Sequence, residues 1–164
     1  MSARIPLKLL VDTNVWIDYF CGYRSHHGQA LQMVNAAIEQ GANLLYLAGC
    51  LKDVYYLIAM EQKRNLAADG IEITEGTAGA INQIALRSID AMRDVSSPVP
   101  LDLRTIWMAR QLEAACPDFE DCLVMAACEL AEVDFLVTND KGLLAKAPVA
   151  ALSPADMTSY LAVR

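Results

Sequence analysis

Short unbroken apolar runs alternate along this chain with longer stretches in which apolar residues recur every third or fourth position. Leu9, Leu10 and Val11 form the first run, with no polar alternation, as expected of a parallel strand covered on both faces. From Thr13 the spacing becomes helical, predicting a short helix over 13–20 and a turn over 22–25. Over 28–39, Ala30, Leu31, Val34, Ala37 and Ile38 share a helical stripe that closes at Gly41. A second strand is predicted over 44–47, followed by long helices over 49–65 and 75–93. Pro98 and Pro100 make 95–100 a poor central strand but fit a short edge strand. The remaining pattern predicts helices over 102–115 and 118–131, a strand over 134–138, a last short strand over 147–151 and a closing helix over 154–161. Strands alternating with helices imply a mostly parallel central sheet in a three-layer α/β/α sandwich.

At 164 residues, 55% hydrophobic and 20% charged, the chain is long enough for one well-covered domain, read here over 1–164. No apolar run approaches the roughly 20 residues that span a bilayer, and the start MSARIPLKLLVD lacks a signal pattern, so a cytoplasmic protein without a membrane partner is expected. Cys21, Cys50, Cys116, Cys122 and Cys128 form no C-x-x-C pair and sit in apolar or helical sequence, which predicts reduced, buried thiols. A formal charge of −7 opposes unassisted adhesion to nucleic acid, although a bound cation could reverse this locally.

Two apolar runs end alike, LLVD at Asp12 and FLVTND at Asp140. Adjacent parallel strands would bring both ends to the sheet edge where open α/β sheets bind ligands. Asp118 and Asp121, in PDFEDCLVMAAC, share a face near a helix start, and that helix leads into the strand ending at Asp140. Asp53 lies in the first turns of the helix after the second strand. Each aspartate has an ordinary account: Asp12 and Asp118 as caps, Asp121 as a helix-dipole partner, Asp140 as a turn opener. Together they are costly. Two carboxylates about 5 Å apart at an effective dielectric near 20 repel by roughly 3 kcal/mol, so a cluster calls for a cation or raised pKa values. Oxygen donors without a converging histidine or cysteine favour Mg2+ or Mn2+ over zinc.

The segments VDTNVWID, DFEDCLVMAAC and FLVTND, with LAGCLKDVYYLI as a weaker match, fall in order between Val11 and Asp140. In them the chain resembles a PIN domain, the metal-dependent ribonuclease fold of VapC-type toxins in bacterial toxin–antitoxin modules. The resemblance implies that Asp12, Asp121 and Asp140 are catalytic metal ligands. Asp53 takes a catalytic position at which the family usually has glutamate, and its shorter side chain reaches less far. Asn14 and Thr138 would orient the carboxylates, and Asp118 either ligates or caps its helix. The implied activity is an Mg2+ (or Mn2+) dependent endoribonuclease in which metal-activated water displaces the 3′ oxygen of an RNA phosphodiester. The implied partners are the RNA, a small antitoxin that wraps the toxin, and a second copy docked through helical surfaces. An alternative is a catalytically inactive PIN-like domain serving as a protein-binding module. Asp53 favours that alternative; retention of Asp12, Asp121 and Asp140 favours the enzyme.

His26 and His27, in CGYRSHHG, read as a solvated loop, and Trp16, Tyr19, Tyr55 and Tyr56 as core or partner interface. Arg24, Lys52, Lys63, Arg64, Arg104 and Lys141 are scattered as on an ordinary surface; Lys52 and Lys141, beside Asp53 and Asp140, are the candidates for RNA contact. No Gly-rich phosphate loop is present, and Ser88, Ser96 and Ser97 lack a histidine arrangement for nucleophilic attack. An aspartyl phosphatase would need a second aspartate where Asn14 stands.

Overall fold

The computed structural model describes residues 5–164. Residues 1–4, which belong to the domain range and to the opening segment read above for a signal pattern, lie outside the described residues. The elements are β1 (Lys8–Val11), α1 (Thr13–Phe20), α2 (His27–Glu39), β2 (Asn43–Leu47), α3 (Cys50–Ala68), α4 (Glu75–Val95) and β3 (Ser96–Val99). They continue with α5 (Leu103–Leu112), α6 (Phe119–Leu130), β4 (Phe135–Val137), α7 (Lys141–Lys146), β5 (Ala150–Leu152) and α8 (Pro154–Val163).

All five strands run parallel, in the order β3-β2-β1-β4-β5. Because side chains alternate along a strand, β1 sends Leu9 and Val11 into one core and Leu10 into the other. The first core adds Tyr46 and Val137 from the sheet and is closed by Trp16, Met33, Ile58, Met92 and Met157 from α1, α2, α3, α4 and α8. The second adds Leu47, Val99 and Leu136 and is closed by Ala109, Met125 and Leu143 from α5, α6 and α7. This is the expected three-layer α/β/α sandwich. Among the described residues no helix is long and apolar enough to cross a membrane.

β3 lies at the sheet margin, where the missing N–H of Pro98 is tolerated. The last strand begins later than 147, because Pro148 cannot donate to a ladder there. α7 is absent from the sequence expectation: six residues are too few to show a helical period, and its signal is the cap at Asp140. The expected helix over 102–115 stops at Leu112.

The loop after α1 corrects two surface assignments. Arg24 Nε donates to Asp18 Oδ1 at 2.6 Å and its Nη1 to Glu61 Oε1 at 3.2 Å, and Asp18 is buried, so Arg24 is no free surface cation. His27 Nδ1 donates to the Asp18 carbonyl at 2.9 Å, which anchors it to the core side, while His26 is exposed. Trp16 is core, whereas Tyr56 is exposed. All five cysteines are free and buried.

Candidate active site

Strand register brings the two strand-end motifs together. Val11 of β1 lies opposite Val137 of β4, so the next residues, Asp12 and Thr138, leave the sheet side by side. Strand order also reverses here: β2 and β3 lie to one side of β1, β4 and β5 to the other. The crevice at such a switch point is where open α/β sheets take ligands.

Asp12 is 8% exposed and occupies the N-cap position of α1, yet its side chain does not cap that helix. Its Oδ2 instead accepts a 2.7 Å hydrogen bond from the hydroxyl of Thr138, which is fully buried. The same hydroxyl oxygen accepts from the Asp140 amide at 3.0 Å, so one side chain ties both motifs. Burial raises the Asp12 carboxyl above its ordinary range; the Thr138 hydroxyl and the Thr13 amide oppose this, and the charge of Asp140 adds to it.

Asp118 and Asp140 do cap helices. Asp118 Oδ1 accepts from the amides of Glu120 at 2.8 Å and Asp121 at 3.3 Å, and Asp140 Oδ1 accepts from Leu143 at 2.9 Å. Asp121, half-buried in the first turn of α6, approaches the same place as Asp140. A Cβ on Gly142 would lie 3.0 Å from Asp140 Oδ1 and 3.9 Å from Asp121 Oδ2. Burial raises the Asp121 carboxyl first, then the charges of Asp118, Asp140 and Asp12, against a 3.9 Å contact from the Cys116 thiol.

Asp53 stands in the first turn of α3, beyond the end of β2 and thus beside β1. Its Oδ1 lies 3.7 Å from Lys52 Nζ, with 74% of the lysine side chain exposed. Lys141, the first residue of α7, is exposed on the other side. Asn14 is exposed and, among the described residues, donates to no carboxylate.

Sequence reasoning passed over Glu120. Its carboxyl is raised by burial and then by the charges of Asp53, Asp118, Asp12 and Asp121. The signal was present in the string DFED, but the i, i+3 pairing of Asp118 with Asp121 selected its neighbours instead. Beneath the acids, the Cys50 thiol is pushed up to about 12 by burial, with the Thr13 hydroxyl opposing and Asp12, Asp53 and Glu120 adding. Cys128 is likewise pushed up to about 12 by burial and by Asp12. Both stay neutral and are poor ligands or nucleophiles.

Among the described residues no three acidic, histidine or cysteine side chains are set closely enough to hold a metal ion as they stand. The donor set still fits a hard divalent cation: oxygen-only, mutually repelling, and of the kind that binds Mg2+ through one or two carboxylates while leaving it several waters. A cavity of about 760 Å³, lined by Lys8, Asn43, Arg93, Ser97 and Arg104, lies by β3 and the amino ends of the strands and includes none of these carboxylates.

VapBC2 from Rickettsia felis, in a crystal structure bound to a DNA fragment from their promoter, has a similar fold. The TM-score is 0.61 over 90% of this chain and 98% of that one, at 8% sequence identity. No curated protein matches the chain in sequence. The family model described as PIN domain matches residues 8–142, from the first strand through the start of α7. The chain belongs to the PIN domain family.

Proposed function

We propose that this protein is an Mg2+/Mn2+-dependent endoribonuclease, the toxin of a toxin–antitoxin module, that hydrolyses RNA phosphodiester bonds at the edge formed by Asp12, Asp121 and Asp140. The observation that carries this reading is the gathering of like charges at the sheet's switch point, with the Asp12 carboxyl raised by burial and by Asp140, and the Asp121 carboxyl raised by burial and by Asp118, Asp140 and Asp12. Such an arrangement is unfavourable until a cation joins it.

Asp12, Asp121 and Asp140 would hold the cation, with Asp53 at the flank. Once bound, the cation stabilises charge on the scissile phosphate and lowers the pKa of an attacking water. Thr138 keeps Asp12 Oδ2 directed across the crevice and fixes the Asp140 backbone at the same time. Lys52 and Lys141, exposed to either side, supply positive charge for the incoming backbone on a chain whose formal charge is −7. Unpaired buried thiols accord with a cytoplasmic setting. A small antitoxin and a second copy of the chain are the partners suggested by the family and by the VapBC2 fold.

The test is cleavage of a mixed set of structured and unstructured RNAs by purified protein with Mn2+ or with EDTA, alongside Asp12→Asn. Cleavage that needs the metal and disappears in the variant is expected. Absence of cleavage together with absence of Mn2+-induced stabilisation would favour a protein-binding module, a reading to which the separated carboxylates lend some support.

A further inference from the structure

We infer that the outer face of α5 seats single-stranded RNA, with Trp107 stacked on an unpaired base and Arg104 and Arg110 holding the phosphates to either side. This rests on the proposed ribonuclease reading and gives the RNA a hold apart from the acids. α5 buries Thr105 and Ala109 and turns its opposite face to solvent. On that face Leu103 is 84% exposed and Trp107 63%, one helical turn apart, so the two side chains make one apolar shelf. Arg104 stands three residues before Trp107 and Arg110 three residues after it, which places a guanidinium on each flank of the indole. An apolar shelf between two cations, on a chain of formal charge −7, matches a ligand with flat base faces and a negative backbone. In a duplex those base faces are hidden, so the fit is to a single strand.

Both cations are available. The Arg104 amide is fixed by Asp102 Oδ1 at 3.0 Å, while its guanidinium makes no ion pair among the described residues. Arg110 Nη1 lies 3.2 Å from Glu113 Oε1, but both side chains are exposed, and such a pair is weak enough to yield to a phosphate. The face also connects with its surroundings at both ends. A Cβ on Gly49 would lie 2.5 Å from Leu101 Cδ2, so Leu101 rests on the start of α3, where Lys52 and Asp53 follow. Trp107 then lies about 6 Å along the helix from Leu103. On the other side Arg104 lines the cavity of about 760 Å³ beside β3, together with Lys8 and Arg93. Of the acids there, Asp94 and Asp102, the second is spent on capping α5.

The test is binding of a labelled 12-nucleotide RNA of mixed, unstructured sequence to the intact protein in EDTA, read by anisotropy and by tryptophan fluorescence. These contacts need no metal, and of the two tryptophans Trp16 is fully buried, so quenching reports Trp107. Trp107→Ala should weaken binding about tenfold and abolish the quenching, whereas Trp107→Phe should keep most of the affinity. Arg104→Gln and Arg110→Gln should each lower the slope of log affinity against log salt by about 0.7, an effect that a merely structural role would not produce. The same sequence as a duplex should bind without quenching. All four side-chain changes are at exposed positions, so circular dichroism and melting should match the parent. Parent-like RNA affinity in Trp107→Ala, or a parent that binds no RNA in EDTA yet cleaves it with Mn2+, would overturn this inference and leave the proposed function standing. Unchanged RNA affinity in Trp107→Ala with loss of a parent dimer by light scattering would overturn it in favour of a protein contact. A parent that neither binds nor cleaves RNA would remove both readings.

Discussion

Thr138 and Asp12 are 126 positions apart in sequence and are joined by a 2.7 Å hydrogen bond at the ends of two adjacent parallel strands. The hydroxyl donates to a nearly buried carboxylate and accepts from the Asp140 amide, so a single oxygen sets the spacing of two strand-end acids. Thr138→Val keeps the shape and removes both functions. Leaving a buried acceptor and a backbone donor unpaired should destabilise the metal-free protein by about 1–3 kcal/mol in urea unfolding at neutral pH. An unchanged urea midpoint would show that the bond does not hold the edge together.

The acid edge should also reverse the usual acid response of a carboxylate cluster. Asp12, Glu120 and Asp121 all have carboxyls raised in the folded chain. Between their unfolded values, about 4, and the higher folded ones, the native state binds more protons than the unfolded state, so this contribution to stability falls as pH rises. The penalty is complete above the folded values and absent below the unfolded ones. Metal-free protein should therefore gain stability relative to Asp12→Asn as pH drops from neutral towards the unfolded values, about 4, and saturating Mn2+ should flatten the difference. Parallel pH profiles for the two proteins in urea would contradict the charge cluster.

Arg24 offers a structural control away from this edge. Its guanidinium is the partner of Asp18, which is 2% exposed, and it also reaches Glu61. Arg24→Leu leaves that aspartate buried without its counter-charge and should cost about 3 kcal/mol or more by chemical denaturation, with Asp18→Asn added to it recovering part of the loss. RNA cleavage per folded molecule should be unaffected. Loss of cleavage without loss of stability would mean that Arg24 serves the RNA and not the buried Asp18.

Those contrasts mark what could be read from the chain. LLVD and FLVTND were legible because an unalternated apolar run ending in a carboxylate has one common meaning, and parallel pairing then puts Asp12 beside the FLVTND motif. The cap at Asp118 was legible as one of two roles, since the Asx geometry depends only on the next three residues. Arg24 was misread because its partners lie on two other elements, α1 and α3, and no local pattern reports them. α7 lacked the length to show a period. Glu120 was missed for a related reason: the charges of Asp53 and Asp12 that act on it belong to other elements, and spacing along one helix cannot show them.

Gly142 separates stability from function at this edge. It lies in the first turn of α7, where alanine is intrinsically better than glycine by about 1 kcal/mol. An added Cβ would meet Asp140 Oδ1 at 3.0 Å, closer than a comfortable contact, and the exposed carboxylate would have to turn away. That turn weakens its cap to the Leu143 amide, which is itself worth about 1 kcal/mol. The two effects offset, so Gly142→Ala should melt within a few degrees of the parent when metal-free. The displaced oxygen borders the same space over Gly142 as Asp121 Oδ2, so Mn2+ affinity and RNA cleavage should fall together while the fold is retained. Calorimetric titration with Mn2+ and a cleavage assay on the same preparation decide it: parent-like values for both would mean that Asp140 Oδ1 takes no part in the site.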